Sequence, residues 1–145
     1  MGADLHETAG LRLRDLGQRY TANRRAVVEL LASTHAPLTI PELLAAGPGV
    51  AQSSAYRNLA VLEEAGVVRR LLTSGDFARY ELAEDLAEHH HHLICVRCGS
   101  AEDYTVPTAL ERRLSRAVSE AEAMTGFEAE HHRLDLIGTC AGCRT

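Results

Sequence analysis

The sequence predicts an α+β chain, a winged helix-turn-helix unit followed by a small α/β dimerisation unit. Three observations carry this reading. Apolar residues recur at helical spacing in successive segments up to residue 66, and two strand-like segments follow them around a glycine turn. All four cysteines fall in two Cys-x-x-Cys pairs, Cys95/Cys98 and Cys140/Cys143, with the run His89 to His92 directly before the first pair. With 145 residues, 46% of them apolar, the chain suffices for one medium or two small domains. The expected division is residues 1–83, a hinge at 84–88, and residues 89–145.

Leu5, Ala9, Leu13 and Leu16 mark the first helix, and Gly17 ends it. Thr21 is placed to cap a second helix carrying Ala26, Val27, Leu30 and Leu31, because its hydroxyl accepts a free first-turn N–H. After a turn over Thr34 to Leu38, Thr39 with Glu42 three residues on and Pro41 between them opens a third helix, which stops at Gly47-Pro48-Gly49. Gln52 or Ser53 opens a fourth. Its apolar stripe is Ala55, Leu59, Leu62 and Ala65, while Tyr56, Arg57 and Asn58 sit in its exposed first turns and Gly66 closes it. Val67 to Leu72 and Phe77 to Leu82 read as strands joined by Thr73-Ser74-Gly75-Asp76. Helices followed by such a hairpin make a winged helix-turn-helix, whose second motif helix enters a DNA major groove.

The acidic stretch from Leu82 to Glu88 lacks apolar periodicity and reads as a linker. Beyond it come a strand (His90 to Cys95), a second strand (Ala101 to Val106), a helix (Pro107 to Met124) and a last strand (Glu128 to Ile137). Leu110, Leu114, Ala117, Val118 and Ala121 repeat at helical spacing in that helix. One helix on a small sheet leaves much apolar surface open, so a homodimer is expected.

The net charge of −5 argues against a generally basic nucleic-acid coat, but residues 1–70 carry eight Arg against seven acids and residues 71–145 carry seven against thirteen. The first half is suited to phosphates and the second to cations. No targeting segment or apolar membrane span is read, so a cytoplasmic protein with reduced thiols is expected. Four thiolates then make a tetrahedral zinc site rather than two disulfides, and its two pairs lie 41 residues apart. On a strand, His89 and His91 share one face and His90 and His92 the other, feeding two further sites with Glu111 and His131 or His132 as candidate partners. His6 and His35 read as surface residues and Tyr104 as packing.

Several segments together resemble the ferric uptake regulator family of metal-sensing bacterial repressors. They are Gly17 to Arg24, Ser54 to Leu59 running into Glu64 to Val68, His89 to Cys98, and His132 running to Gly138-Thr139-Cys140-Ala141-Gly142-Cys143. The resemblance implies a DNA-binding unit joined by a hinge to a dimerisation unit, with metal closing the hinge so that the dimer fits operator DNA, an A·T-rich inverted repeat. It implies structural Zn2+ on Cys95, Cys98, Cys140 and Cys143, a second site on His89, His91, Glu111 and His132, and a hinge regulatory site on Glu81, His90 and His92. It places Ser54, Tyr56 and Arg57 on the recognition helix and Arg19 in the minor groove.

Pro37 stands where many relatives carry a hinge histidine, with His35 two residues upstream, which leaves His35, Glu84 and Asp85 as candidates to complete that site. A His and Glu donor set suits Zn2+, Fe2+, Mn2+ or Ni2+. The unbroken histidine run resembles the zinc-uptake branch, although no cysteine is left for the hinge, so the response expected is to zinc or iron. Peroxide-sensing relatives resemble an aspartate where Glu111 stands, which disfavours oxidation sensing. Two other functions compete: metal storage or trafficking, which leaves the winged helix without a role, and a zinc hydrolase, for which no HExxH-type signature is present.

Overall fold

The computed structural model describes residues 2–47, 49–73 and 78–144. Four helices come first: α1 (Gly2–Asp15), α2 (Ala22–Ser33), α3 (Ile40–Ala46) and α4 (Ala55–Glu64), the last entered through a 3-10 turn over Gln52–Ser54. The caps are those the sequence predicts: Thr21 Oγ1 accepts the Arg24 N–H and Thr39 Oγ1 the Glu42 N–H, each at 3.3 Å. The wing is an antiparallel hairpin of β1 (Val68–Leu71) and β2 (Arg79–Leu82). The expected turn between its strands lies, from Ser74 onward, outside the described residues.

These elements share one core. Leu13, Val27, Val28, Leu43, Leu59, Leu62 and Val67 are almost wholly buried in it, each contributing about 1.5–3 kcal/mol by leaving water. The turn between α2 and α3 joins the wing as well: Leu38 and Tyr80 exchange backbone bonds of 2.9 and 2.7 Å.

The second sheet has the order β4-β3-β5, with β3 (His91–Cys95) antiparallel to β4 (Ala101–Tyr104) and parallel to β5 (Asp135–Gly138). Helix α5 (Thr108–Thr125) connects β4 to β5 and ends at Gly126, whose φ of 74° suits a residue without a Cβ. The register sets His92 opposite Asp103 on one side and Asp135 on the other.

Several expectations are corrected. The last strand starts at Asp135 rather than Glu128, because its partner β3 is engaged only from His92 to Cys95 and residues 128–133 offer charges and histidines instead of apolar alternation. Within the linker segment, on which no expectation of local structure was placed, Glu84–Leu86 form a 3-10 turn, Leu86 packs on the core, and Asp85 is paired with Arg12 of α1. Asn58 is buried, not exposed, and Tyr104 is 39% exposed rather than packed. His6 is held between Tyr20, its Nδ1 at 2.5 Å from the phenol, and Glu29.

Candidate metal centres and nucleic-acid face

Three groups of metal-ligating side chains converge among the described residues, each with one donor atom per residue within 4.8 Å of the others. Cys95, Cys98, Cys140 and Cys143 form the first, brought together because β3 and β5 run parallel and end in the two Cys-x-x-Cys turns. None of the four is in a disulfide. The Cys98 and Cys140 sulfurs lie 3.8 Å apart, which is the edge of a tetrahedron with metal–sulfur bonds of about 2.3 Å. The Cys140 N–H donates to Cys95 Sγ and helps to draw that thiol down to about 6. Hydrogen bonds to the neighbouring sulfurs of Cys140 and Cys98, then burial, push the Cys143 thiol up to about 12, and repulsion from the Cys140 thiolate adds to this. A divalent ion at the centre removes this repulsion.

The second group gathers His89, His91, Glu111 and His132. Three Nε2 atoms point at one carboxylate: His89 and His132 at Glu111 Oε1 (2.9 and 2.6 Å) and His91 at Oε2 (2.9 Å). Burial works against the Glu111 charge, but the bonds from His91 and His132 outweigh it and lower the pKa. Behind the ring of His89, Nδ1 meets Glu84 Oε1 at 2.7 Å, an outer carboxylate of the kind that orients a metal-binding imidazole. His91 differs, because its Nδ1 accepts the Leu134 N–H at 3.2 Å.

The third group is Glu81 from the wing with His90, His92 and Asp103 from the second sheet. Glu81 Oε2 is 3.0 Å from both Nε2 atoms, and Asp103 Oδ1 is 3.6 Å from His90 Nε2 and 3.8 Å from His92 Nε2. Asp103 Oδ1 is buried with no hydrogen-bond partner, the condition of an atom awaiting a cation. The other face of each ring meets oxygen: His90 Nδ1 donates to Glu88 O at 2.8 Å, and His92 Nδ1 faces Asp135 Oδ1 at 3.6 Å. With its proton on Nδ1, neutral His90 turns a lone pair toward Glu81, so the pair needs either a second proton or a metal. In the metal-free chain it takes the proton, and the bond to Glu81 raises His90 to about 9. Burial opposes the charge on Glu81, yet His90, His92 and Arg69 hold it well below the usual carboxylate range. Burial raises Asp103.

The alternating faces of the histidine run are therefore those the sequence predicts. The candidates for completing the hinge set are corrected: Glu84 turns to His89 and Arg69, and Asp85 to Arg12. His35 lines the same cleft of about 470 Å3 as Glu81, His90 and Asp103, but joins them through its carbonyl, which accepts the Asp103 N–H at 3.1 Å. Asp103 and Asp135 escaped sequence reasoning because their relevance comes from strand register, which no local spacing shows. His132 lies on the segment before β5, and His131 is in none of the three groups.

On the opposite half, Tyr56 is 69% exposed and Arg57 is also exposed at the start of α4. Among the described residues neither Arg57 nor Arg19 has an ion-pair partner for its side chain. Buried Arg24 holds the two regions together: it donates to Arg19 O at 2.8 Å, to Gln18 Oε1 at 3.1 Å and to Asn58 Oδ1 at 3.0 Å, while Asn58 Nδ2 donates to Ser54 Oγ at 3.3 Å.

A winged helix carrying three ligand clusters defines a metal-responsive transcription regulator. The profile of the Ferric uptake regulator family matches residues 15–137, and the chain belongs to that family. It is 30% identical over 136 residues to the peroxide-responsive repressor PerR of Staphylococcus aureus, covering 91% of this chain and 86% of the relative. Its fold is similar to that of the Helicobacter pylori ferric uptake regulator Fur, whose structure reveals three functional metal binding sites, with a TM-score of 0.73 and 25% identity over 99% of this chain and 93% of that one. The Vibrio cholerae ferric uptake regulator matches with a TM-score of 0.64 and 27% identity over 88% and 96% of the two chains.

Proposed function

We propose that the chain is a metal-dependent repressor that binds operator DNA as a homodimer and controls metal-ion homeostasis in the cytoplasm. The observation that carries this is the span of the third cluster. Glu81 belongs to the wing and His90, His92 and Asp103 to the second sheet, so an ion bound there joins the DNA-binding unit (1–83) to the dimerisation unit (89–145) across the hinge at 84–88. Metal favours one arrangement of the two units because that arrangement alone assembles all four donors, and differential affinity is what coupling requires. Zn2+ is assigned to the four cysteines and Zn2+ or Fe2+ to the hinge cluster, with Mn2+ and Ni2+ as competitors for the same nitrogen and oxygen donors.

Two copies explain α5, which buries none of its residues within the chain, and the exposed Leu136 and Ile137 of β5. In the dimer, two α4 helices present Tyr56 and Arg57, with Ser54 on the turn that enters each helix, to successive major grooves, and Arg19 enters a narrow, A·T-rich minor groove of an inverted repeat. The test is retention of genomic DNA fragments by chelator-treated protein and by the same protein reloaded separately with Zn2+, Fe2+, Mn2+ and Ni2+. One fragment set retained only after reloading is the expected result, and the most effective metal names the signal. Retention without regard to metal sinks the proposal and returns storage or hydrolysis to consideration.

The 30% identity to a peroxide-responsive repressor raises oxidant sensing as a second reading, against which stands Glu111, where such relatives resemble an aspartate. Adding hydrogen peroxide to Fe2+-loaded and Zn2+-loaded complexes separates the two: release of DNA from the iron form alone marks an oxidant sensor.

A further inference from the structure

The wing also crosses to the second sheet through Arg79. This residue of β2 is buried, with 9% of its surface exposed. Its Nε donates to Gly99 O at 2.9 Å, and its Nη1 donates to Pro37 O at 3.2 Å and to Glu42 Oε1 at 3.0 Å. Thr73 Oγ1, also from the hairpin, donates to the same Gly99 carbonyl at 3.1 Å. Gly99 directly follows Cys98. Its N–H donates to Cys95 O at 3.0 Å, and its φ of 72° is a conformation that side-chain-bearing residues rarely take. The carbonyl gripped by the wing is therefore part of the turn that carries Cys95 and Cys98. A buried guanidinium that loses an acceptor bears the desolvation of the freed group, so Arg79 holds this carbonyl firmly where the turn is fixed.

We infer that Arg79 is a positioning residue that couples the wing to the four-cysteine centre, so that the ion held by the thiolates steadies the DNA-reading unit as well as its own sheet. The hinge cluster then sets the closed arrangement at Glu81, and the Arg79 contact sets it again at Gly99. Coupling of this kind is reciprocal: whatever loosens the wing contact loosens the ion. The inference rests on the four cysteines holding a divalent ion and does not require DNA to be the ligand.

The experiment follows the ion instead of DNA. Full-length protein is loaded with Co2+, whose thiolate charge-transfer absorption reports the four-cysteine centre and not the histidine clusters. Its loss to excess chelator is timed for the native chain, Arg79→Met, Arg79→Lys and Glu29→Gln. About tenfold faster loss is expected for Arg79→Met, the size of one charge-assisted hydrogen bond. Arg79→Lys, which keeps the charge without the planar fork, should fall between it and the native chain. Glu29→Gln breaks an ion pair with Arg25 inside the first unit without touching the Arg79 contacts, and should leave the rate unchanged. Should Arg79→Met not fold, Arg79→Lys against Glu29→Gln decides alone. Equal rates in all the folded proteins, or a Glu29→Gln rate matching that of the Arg79 variants, would overturn the coupling. Failure of the native chain to show thiolate–cobalt absorption would remove its premise, while the DNA-retention result would stand or fall separately.

Discussion

At the scale of single residues, Asp103 is where the hinge cluster closes. Its buried Oδ1 has no hydrogen-bond donor and sits within 3.8 Å of both imidazole nitrogens. Partners outside the ligand set are worth roughly 10- to 100-fold in metal affinity, so Asp103→Ala, which deletes a donor, should lower hinge affinity by more than about 100-fold. Asp135→Ala, which removes only the group behind His92, should cost less. Calorimetric titration of protein with its cysteine centre already loaded checks both, and the reverse order would show that Asp103 is not a ligand. His90 adds a pH signature to the metal-free chain. Its pKa is raised from 6.5 to about 9, so its ion pair with Glu81 contributes full stability below 6.5 and loses it as pH rises through about 9. Glu81 is depressed, so its share is present above about 4.5 and lost as pH falls further. Metal-free melting temperature should therefore decline from pH 6.5 to 9, while hinge metal affinity climbs over the same window because the metal takes the place of the His90 proton. A melting temperature that rises across this window would contradict the protonated pair. Arg24 gives a third test. Arg24→Met strands Asn58 and the Arg19 carbonyl, and should cost about 2–4 kcal/mol of stability in denaturant titration.

Among the elements, those with local signals were legible in the sequence and those defined by partners were not. The caps at Thr21 and Thr39 and the stripe of α4 are written within a few residues of chain, and each forms as read. The start of β5 and the burial of Asn58 depend on β3 and on Arg24, which are distant in sequence. Helix α5 shows the same division. Its periodicity predicts an apolar face, yet one chain covers that face only in part: Leu114 and Val118 are half-buried, no residue of α5 is fully buried and Leu110 remains 40% exposed. A helix so placed gains its stability from a partner, which the proposed dimer supplies. Leu114→Arg, a substitution by another good helix former, should convert the dimer to monomer in sedimentation while leaving the four-cysteine centre loaded. A dimer that survives it would move the interface elsewhere.

For the whole molecule, apolar burial is unequal between the halves. The main core draws on residues from Leu5 to Leu86, whereas beyond the hinge the buried apolar side chains are Ile94, Cys95, Ala101 and Val106. All four cysteines belong to this second half, where few apolar side chains are buried within one chain. An ion joining the two Cys-x-x-Cys turns closes a loop of about 40 residues, and loop-closure entropy for such a length is worth about 4 kcal/mol. That is a large share of the stability of any small domain. Stripping the ion should therefore leave helices α1 to α4 folded and unfold the second sheet. In the native chain, hydrogen exchange after chelation should spread through residues 91–95, 101–104 and 135–138 while Val27, Val28, Leu59 and Leu62 stay protected. Loss of protection in both halves at once would instead make the chain one cooperative unit, its helical core dependent on the distant thiolates.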